Sequence, residues 1–132
     1  MDEAVLDVAR SIRPYLASLV GEHAAEIDGK LASLLRQAST GADVEGDLLA
    51  ILAGTPQIQN WAAAMLGDER RLPPELQERR SAIFAGLPGT ADPVDAIRYV
   101  CPTDGAYAEW QLFVGDPIPT CRDHPGTLLV QG

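Results

Sequence analysis

Basic residues are scarce in this chain, and so are cysteine and aromatic side chains. Ten Lys and Arg stand against 19 Asp and Glu, leaving a formal net charge of −9. Such a surface does not neutralise phosphates, so neither general nucleic-acid binding nor docking on an anionic membrane is expected. No apolar run approaches the roughly 20 residues of a membrane-spanning helix. The opening residues, MDEAVLDVAR, are acidic at once and lack the apolar stretch of a signal peptide. The expected location is the cytoplasm. Away from the cysteines, no Ser-His-Asp or Cys-His grouping points to a nucleophile. GLPG, residues 86–89, lacks the lysine and helix cap of a phosphate loop. There are two cysteines, and in a cytoplasmic chain they read as thiols or metal ligands before a structural disulfide.

What the chain does have is material for a core. Its 132 residues are 46% hydrophobic, which suits one domain or a domain with a small appendage. The first 85 or so read as helices. Val5, Ala9, Ile12, Leu16 and Leu19 fall three or four apart, the spacing of one helical face. Pro14 should kink or split that helix near Arg13, and Gly21 should end it. Ala24, Ile27, Leu31, Leu34, Leu35 and Ala38 form a second stripe, closed by Gly41. A third helix starts from an Asp43 cap and carries Val44, Leu48, Ile51 and Leu52. Gly54, Thr55 and Pro56 read as stop, cap and first helical position of a fourth, with Ile58, Trp61, Ala62, Met65 and Leu66. A fifth, after Pro73-Pro74, carries Leu76, Ile83 and Phe84.

The run GLPGTADP, residues 86–93, is a linker by composition. Beyond it the period changes from helix to strand. Ile97–Val100 reads as a short strand. Ala108, Trp110 and Leu112 then alternate with Tyr107, Glu109, Gln111 and Phe113. Residues 128–131 read as a last strand.

The chemistry-bearing pattern lies in this final part: Cys101-x2-Asp104, sixteen residues, then Cys121-x2-His124. Two knuckles at hairpin ends can bring four such side chains to one metal ion, and the spacing is that of a zinc ribbon. The two-residue gap turns backbone N–H groups toward the thiolate and points the second side chain back at the ion. Gly105 follows Asp104 and supplies the positive φ such a turn often needs. In the second knuckle Pro125 intervenes before Gly126. Asp104 can bind zinc through oxygen, and it is as short as the cysteine it would replace. A β unit of 35 or so residues has little core of its own, and a structural Zn2+ held by Cys101, Asp104, Cys121 and His124 would staple it. The residues leave other readings open: a ribbon that has lost its metal, a Cys101–Cys121 disulfide, two unrelated buried thiols, or an open catalytic zinc. For the last, Glu109 is the nearest carboxylate and reads as a solvated strand position.

The segments RYVCPTDGAYAEW and VGDPIPTCRDHPGTLLV resemble zinc-ribbon and rubredoxin-like knuckle modules. The chain is also similar in character to small actinobacterial proteins that join a helical region to a ribbon carrying VG-x-P-(V/I)-P-x-C-x-x-H-G-x-x-L. Some of these accompany predicted bacterial conflict or defence systems built around NTPases and proteases. The resemblance covers residues 97–130. It implies an adaptor or regulatory subunit rather than a catalyst, with Cys101, Cys121 and His124 as ligands. Cysteine is the commoner residue where Asp104 stands, and His124-Pro125-Gly126 departs from the usual His-Gly.

The expected fold class is α+β: an N-terminal α-helical bundle of four to five helices over 1–86, a linker over 87–96, and a small β-rich zinc-ribbon-like unit over 97–132. The expected function is protein–protein interaction, with an unidentified protein partner and no nucleic acid or membrane. The alternatives are a small metalloenzyme or redox metal protein, and a nucleic-acid-binding ribbon, which the acidic charge disfavours. Rubredoxin-type iron wants four thiolates, and two are present. Trp61 and Trp110 read as core residues before recognition anchors. His23, beside Glu22, reads as a surface residue. Arg70, Arg71, Arg79 and Arg80 are balanced by Asp68, Glu69, Glu75 and Glu78 and read as a solvated helix face.

Overall fold

A computed structural model describes residues 2–68, 71–78, 96–111 and 117–132. The chain is α+β, with helices first and a small antiparallel sheet near the C-terminus. Helix α1 spans Glu3–Ile12, and Asp2 caps it by accepting the Ala4 N–H at 2.9 Å. Pro14 has no N–H to continue the ladder, so a 3-10 turn, Arg13–Tyr15, separates α1 from α2, Leu16–Val20. Gly21 ends α2 with φ +58°, a conformation that disfavours any residue with a Cβ. A second 3-10 turn, Gly21–His23, leads into α3, Ala24–Ser39.

Helix α4 runs over Glu45–Ala53, and the Asp43 carboxylate accepts the Glu45 N–H at its start. Helix α5, Pro56–Gly67, has its proline in the first turn. Thr55 precedes it in extended backbone, as a residue before proline should, but its hydroxyl makes no capping bond. Residues 74–78 are helical. The Ile83 and Phe84 end of the expected fifth helix lies outside the described residues. So do Arg70, Arg79, Arg80, Leu112, Phe113 and all of the expected linker except Ala96.

Apart from Leu66, which is 44% exposed, and Leu76, which is buried in a separate cluster with Leu72, the expected stripes meet in one core. Val8, Ile12, Leu16, Leu31, Leu48, Ile58 and Met65 are almost fully buried within it. Trp61 belongs to this core, tilted against Tyr15 with ring centroids 5.6 Å apart. Its indole N–H is shared by both Glu75 oxygens, at 3.1 and 3.0 Å. His23 is exposed, as expected. Among the described residues, no helix is long and apolar enough to cross a membrane.

Strand β1, Ile97–Val100, pairs on one side with β2, Ala108–Gln111, and on the other with β3, Val130–Gln131. Both pairings are antiparallel, with Val100 opposite Ala108 and opposite Val130. Leu128 lies outside β3 and makes an isolated bridge to Thr120.

This sheet packs on the helices rather than standing free. Ala106 is fully buried in the helical core, and Trp110 packs beside it. The Trp110 indole donates to the Ser11 hydroxyl at 3.0 Å. Arg98 reaches Asp7 on α1 at 2.6 Å.

The centre of the junction is Arg13, whose side chain is 1% exposed. A guanidinium has five N–H donors, and here all are used. Nε and Nη2 bind the two Asp28 oxygens at 2.7 and 3.1 Å. Nη1 and Nη2 bind the two Asp123 oxygens at 2.7 and 2.8 Å. Nη1 also donates to the Ala106 carbonyl at 2.6 Å. Two bidentate carboxylates and one carbonyl tie α1, α3 and the C-terminal unit together. Replacing Arg13 with Met should strip Asp28 and Asp123 of their buried forked partner, leaving them only the half-exposed Arg122 and Arg36, and cost about 3–5 kcal/mol. Arg13→Lys should recover little, because an ammonium cannot make either fork. Urea unfolding of both variants measures this; a wild-type midpoint for Arg13→Met would show that the junction contributes nothing.

Candidate metal centre

Each expected ligand pair lies in a tight turn, and the backbone explains the turn. In the first, the Cys101 N–H donates to the Tyr107 carbonyl and the Gly105 N–H to the Cys101 carbonyl, both at 3.0 Å. Gly105 has φ +65°. In the second, the Cys121 N–H donates to the Thr127 carbonyl at 2.8 Å and the Thr127 N–H to the His124 carbonyl at 3.0 Å. The positive φ falls on Gly126, at +87°. Pro125 therefore shifts the left-handed residue by one position, and the turn still closes. The Pro119 carbonyl accepts the Leu129 N–H at 2.9 Å, holding the base of this second hairpin.

The two turns bring Cys101, Cys121 and His124 together. One donor atom from each lies within 4.8 Å of the others. Both cysteines are buried free thiols, packed with Tyr107 and Leu129. His124 Nδ1 is 3.6 Å from the Cys101 sulfur and 3.5 Å from the Cys121 sulfur. Tetrahedral zinc, with Zn–S near 2.3 Å and Zn–N near 2.0–2.1 Å, implies S···N edges of about 3.5–3.6 Å. The donor types and these edges fit a metal ion. Burial pushes the Cys121 thiol pKa up, while hydrogen bonds from the Asp123 and His124 backbone oppose the rise.

Asp104 is placed differently. Its Oδ1 accepts the Ala106 N–H at 3.0 Å, and its Oδ2 lies 3.3 Å from Arg36 Nε. That same Oδ2 is 3.7 Å from His124 Nε2, the ring nitrogen not directed at the sulfurs. The close set of three donors does not include it.

Three participants around the centre are absent from the knuckle pattern. Asp123 lies between two of the donors in sequence and binds Arg13. That hydrogen bonding holds its carboxyl below the usual carboxylate range, although burial opposes it. Arg36 approaches Asp104 at 3.3 Å and Asp123 at 3.5 Å. Tyr107 has the guanidinium carbons of Arg13 and Arg122 at 5.4 and 5.2 Å from its ring centroid. Arg13 carried a legible signal: it falls four residues after Ala9 and three before Leu16, so a charge sits on an apolar stripe and needs a partner. Arg36 carried none. Glu109, expected to be solvated, is half-buried, and burial raises its pKa.

Comparison with known proteins returns no matching family model, no similar curated protein and no similar solved structure. The geometry of the centre therefore carries the functional argument.

The glycines offer a direct check on the turns. A Cβ at Gly105 would meet no atom within 4 Å, so Gly105→Ala costs only backbone strain at φ +65°. The expected loss is about 1–2 kcal/mol in urea unfolding. A loss near zero would mean the first turn tolerates a right-handed residue.

Proposed function

We propose that the chain is a non-catalytic interaction module, an adaptor or regulatory subunit, whose C-terminal ribbon is stapled by Zn2+ on Cys101, Cys121 and His124. The observation that carries the zinc reading is the pair of sulfur-to-Nδ1 distances, 3.6 and 3.5 Å, between donors from two separate turns. Asp104 lies behind this site: its Oδ2 is 3.7 Å from the imidazole nitrogen that faces away from the metal, beyond hydrogen-bond distance. Zinc is a better fit than redox iron, because rubredoxin-type iron uses four thiolates and the chain has two cysteines.

Two features support a protein partner. The charge of −9 favours a basic protein over a phosphate backbone or an anionic bilayer. Ile118, Leu128 and Val130 are also large apolar residues left 50%, 56% and 49% exposed on the C-terminal unit. The resemblance to helical-plus-ribbon proteins suggests a bacterial conflict or defence system as the setting, with the protein acting in the cytoplasm.

Protein purified without added metal should contain one zinc per chain by elemental analysis, and chelation should lower its melting temperature. Cys121→Ser should abolish the bound zinc. Metal-free protein with a melting curve indifferent to chelator would overturn the zinc reading. The adaptor reading is tested by affinity capture with the intact chain and with Cys121→Ser. A specific protein retained by the first and lost from the second is the expected result. Equal capture by both would separate the partner surface from the ribbon.

A further inference from the structure

We infer that the metal on Cys101, Cys121 and His124 keeps one coordination place that no described residue fills, and that a thiolate takes it; the chain's two cysteines are already in the set, so this thiolate belongs to another molecule. The inference rests on the zinc reading above. Tetrahedral zinc takes four donors. Three converge, and among the described residues no further Cys, His, Asp or Glu joins them. The side chain spaced to be the fourth is committed elsewhere. Asp104 uses Oδ1 for the Ala106 N–H and Oδ2 for Arg36, and it faces His124 Nε2 rather than Nδ1. The two imidazole nitrogens lie on different sides of the ring. A metal on Nδ1 therefore does not share its position with a carboxylate at Nε2.

The place is reachable and its preference follows from the donors. Pro102, Thr103, Pro125 and Gly126 at the knuckle tips are exposed, and the His124 side chain is 31% exposed, while both cysteines are buried. Two thiolates and a neutral imidazole bring Zn2+ to formal neutrality, so a single anionic donor adds without building a large charge. Sulfur already dominates the set, and soft donors suit such a site better than another carboxylate. The incoming thiol gives its proton to solvent as its sulfur lone pair binds the metal. A partner protein's cysteine and a small cellular thiol share this chemistry.

Cobalt in place of zinc makes the site visible. The full chain is loaded with one equivalent of Co2+ and titrated with 2-mercaptoethanol, with a short peptide carrying one cysteine, and with the same peptide carrying serine. The expected result is growth of the sulfur-to-cobalt charge-transfer band, in the ratio of three thiolates to two, with a shift of the visible bands. The serine peptide should do nothing. A response to the cysteine peptide alone assigns the place to a partner protein; a response to both thiols opens it to small thiols. In parallel, Asp104→Asn should keep the wild-type visible bands and the wild-type response to thiol, because Asp104 is not among the close donors. A wild-type spectrum unmoved by either thiol overturns the inference. So does an Asp104→Asn protein whose bands change and which alone responds to thiol, because Asp104 would then hold the fourth place. Failure of Co2+ and Zn2+ to bind at all would instead remove the metal reading itself.

Discussion

Arg13 is the residue on which the architecture turns. Its side chain is buried to 1% exposure, yet a guanidinium cannot shed its charge in a protein. Burial alone would lower its pKa, but hydrogen bonds with Asp123 and Asp28 outweigh this and raise it. The ion is therefore fixed, and the surrounding chain must satisfy it. Three parts of the sequence do so: Asp28 from α3, the Ala106 carbonyl before β2, and Asp123 from the second knuckle. Pro14 sets the stage by ending α1 just where the arginine must leave the helical ladder.

Among the described residues, the C-terminal unit has little core of its own beside this anchor. Its own buried cluster comprises Cys101, Tyr107, Cys121 and Leu129, which is little apolar surface for independent folding. Two further resources make up the difference. One face gives Ala106 and Trp110 to the helical core. The other places the Tyr107 ring near two arginines, one from each side of the junction. Arg122 reinforces the same contact by donating to the Arg13 carbonyl at 3.1 Å and to Asp28 at 3.0 Å.

The parts of this design that depend on local chemistry were legible in the sequence. Pro14, Gly21, Gly41 and Pro56 punctuate the helices because each restricts or frees its own backbone. The two-residue gaps of the knuckles likewise announce that Cys101 and the Cys121–His124 pair turn inward. What was not legible depends on distant residues. The role of Asp104 is set by Arg36, which lies 68 positions away, and by an N–H two residues on. A carboxylate has two oxygens and tolerates many approaches, so spacing alone does not say which neighbour it meets. Asp123 gives no sequence signal for a related reason: between two candidate ligands it reads as filler, and its partner is 110 positions away. β3 is shorter than expected because Leu128 pairs with Thr120 in its own hairpin.

The second knuckle thus performs two tasks with four consecutive residues. Cys121 and His124 face Cys101 in the candidate metal centre; Arg122 and Asp123 face the helices. Under the zinc reading, these tasks reinforce each other. A metal ion binds a preformed site more tightly than a disordered one, because the ordering cost has already been met. Arg13 orders Asp123, and the order passes to the donors on either side of it. By linkage the reverse also holds: an ion that binds only the ordered knuckle stabilises the docked arrangement. Arg36 extends the coupling, since it touches Asp123 on the docking side and Asp104 behind the imidazole. Under the same reading the helical region supports the metal centre, through Arg13 and Arg36.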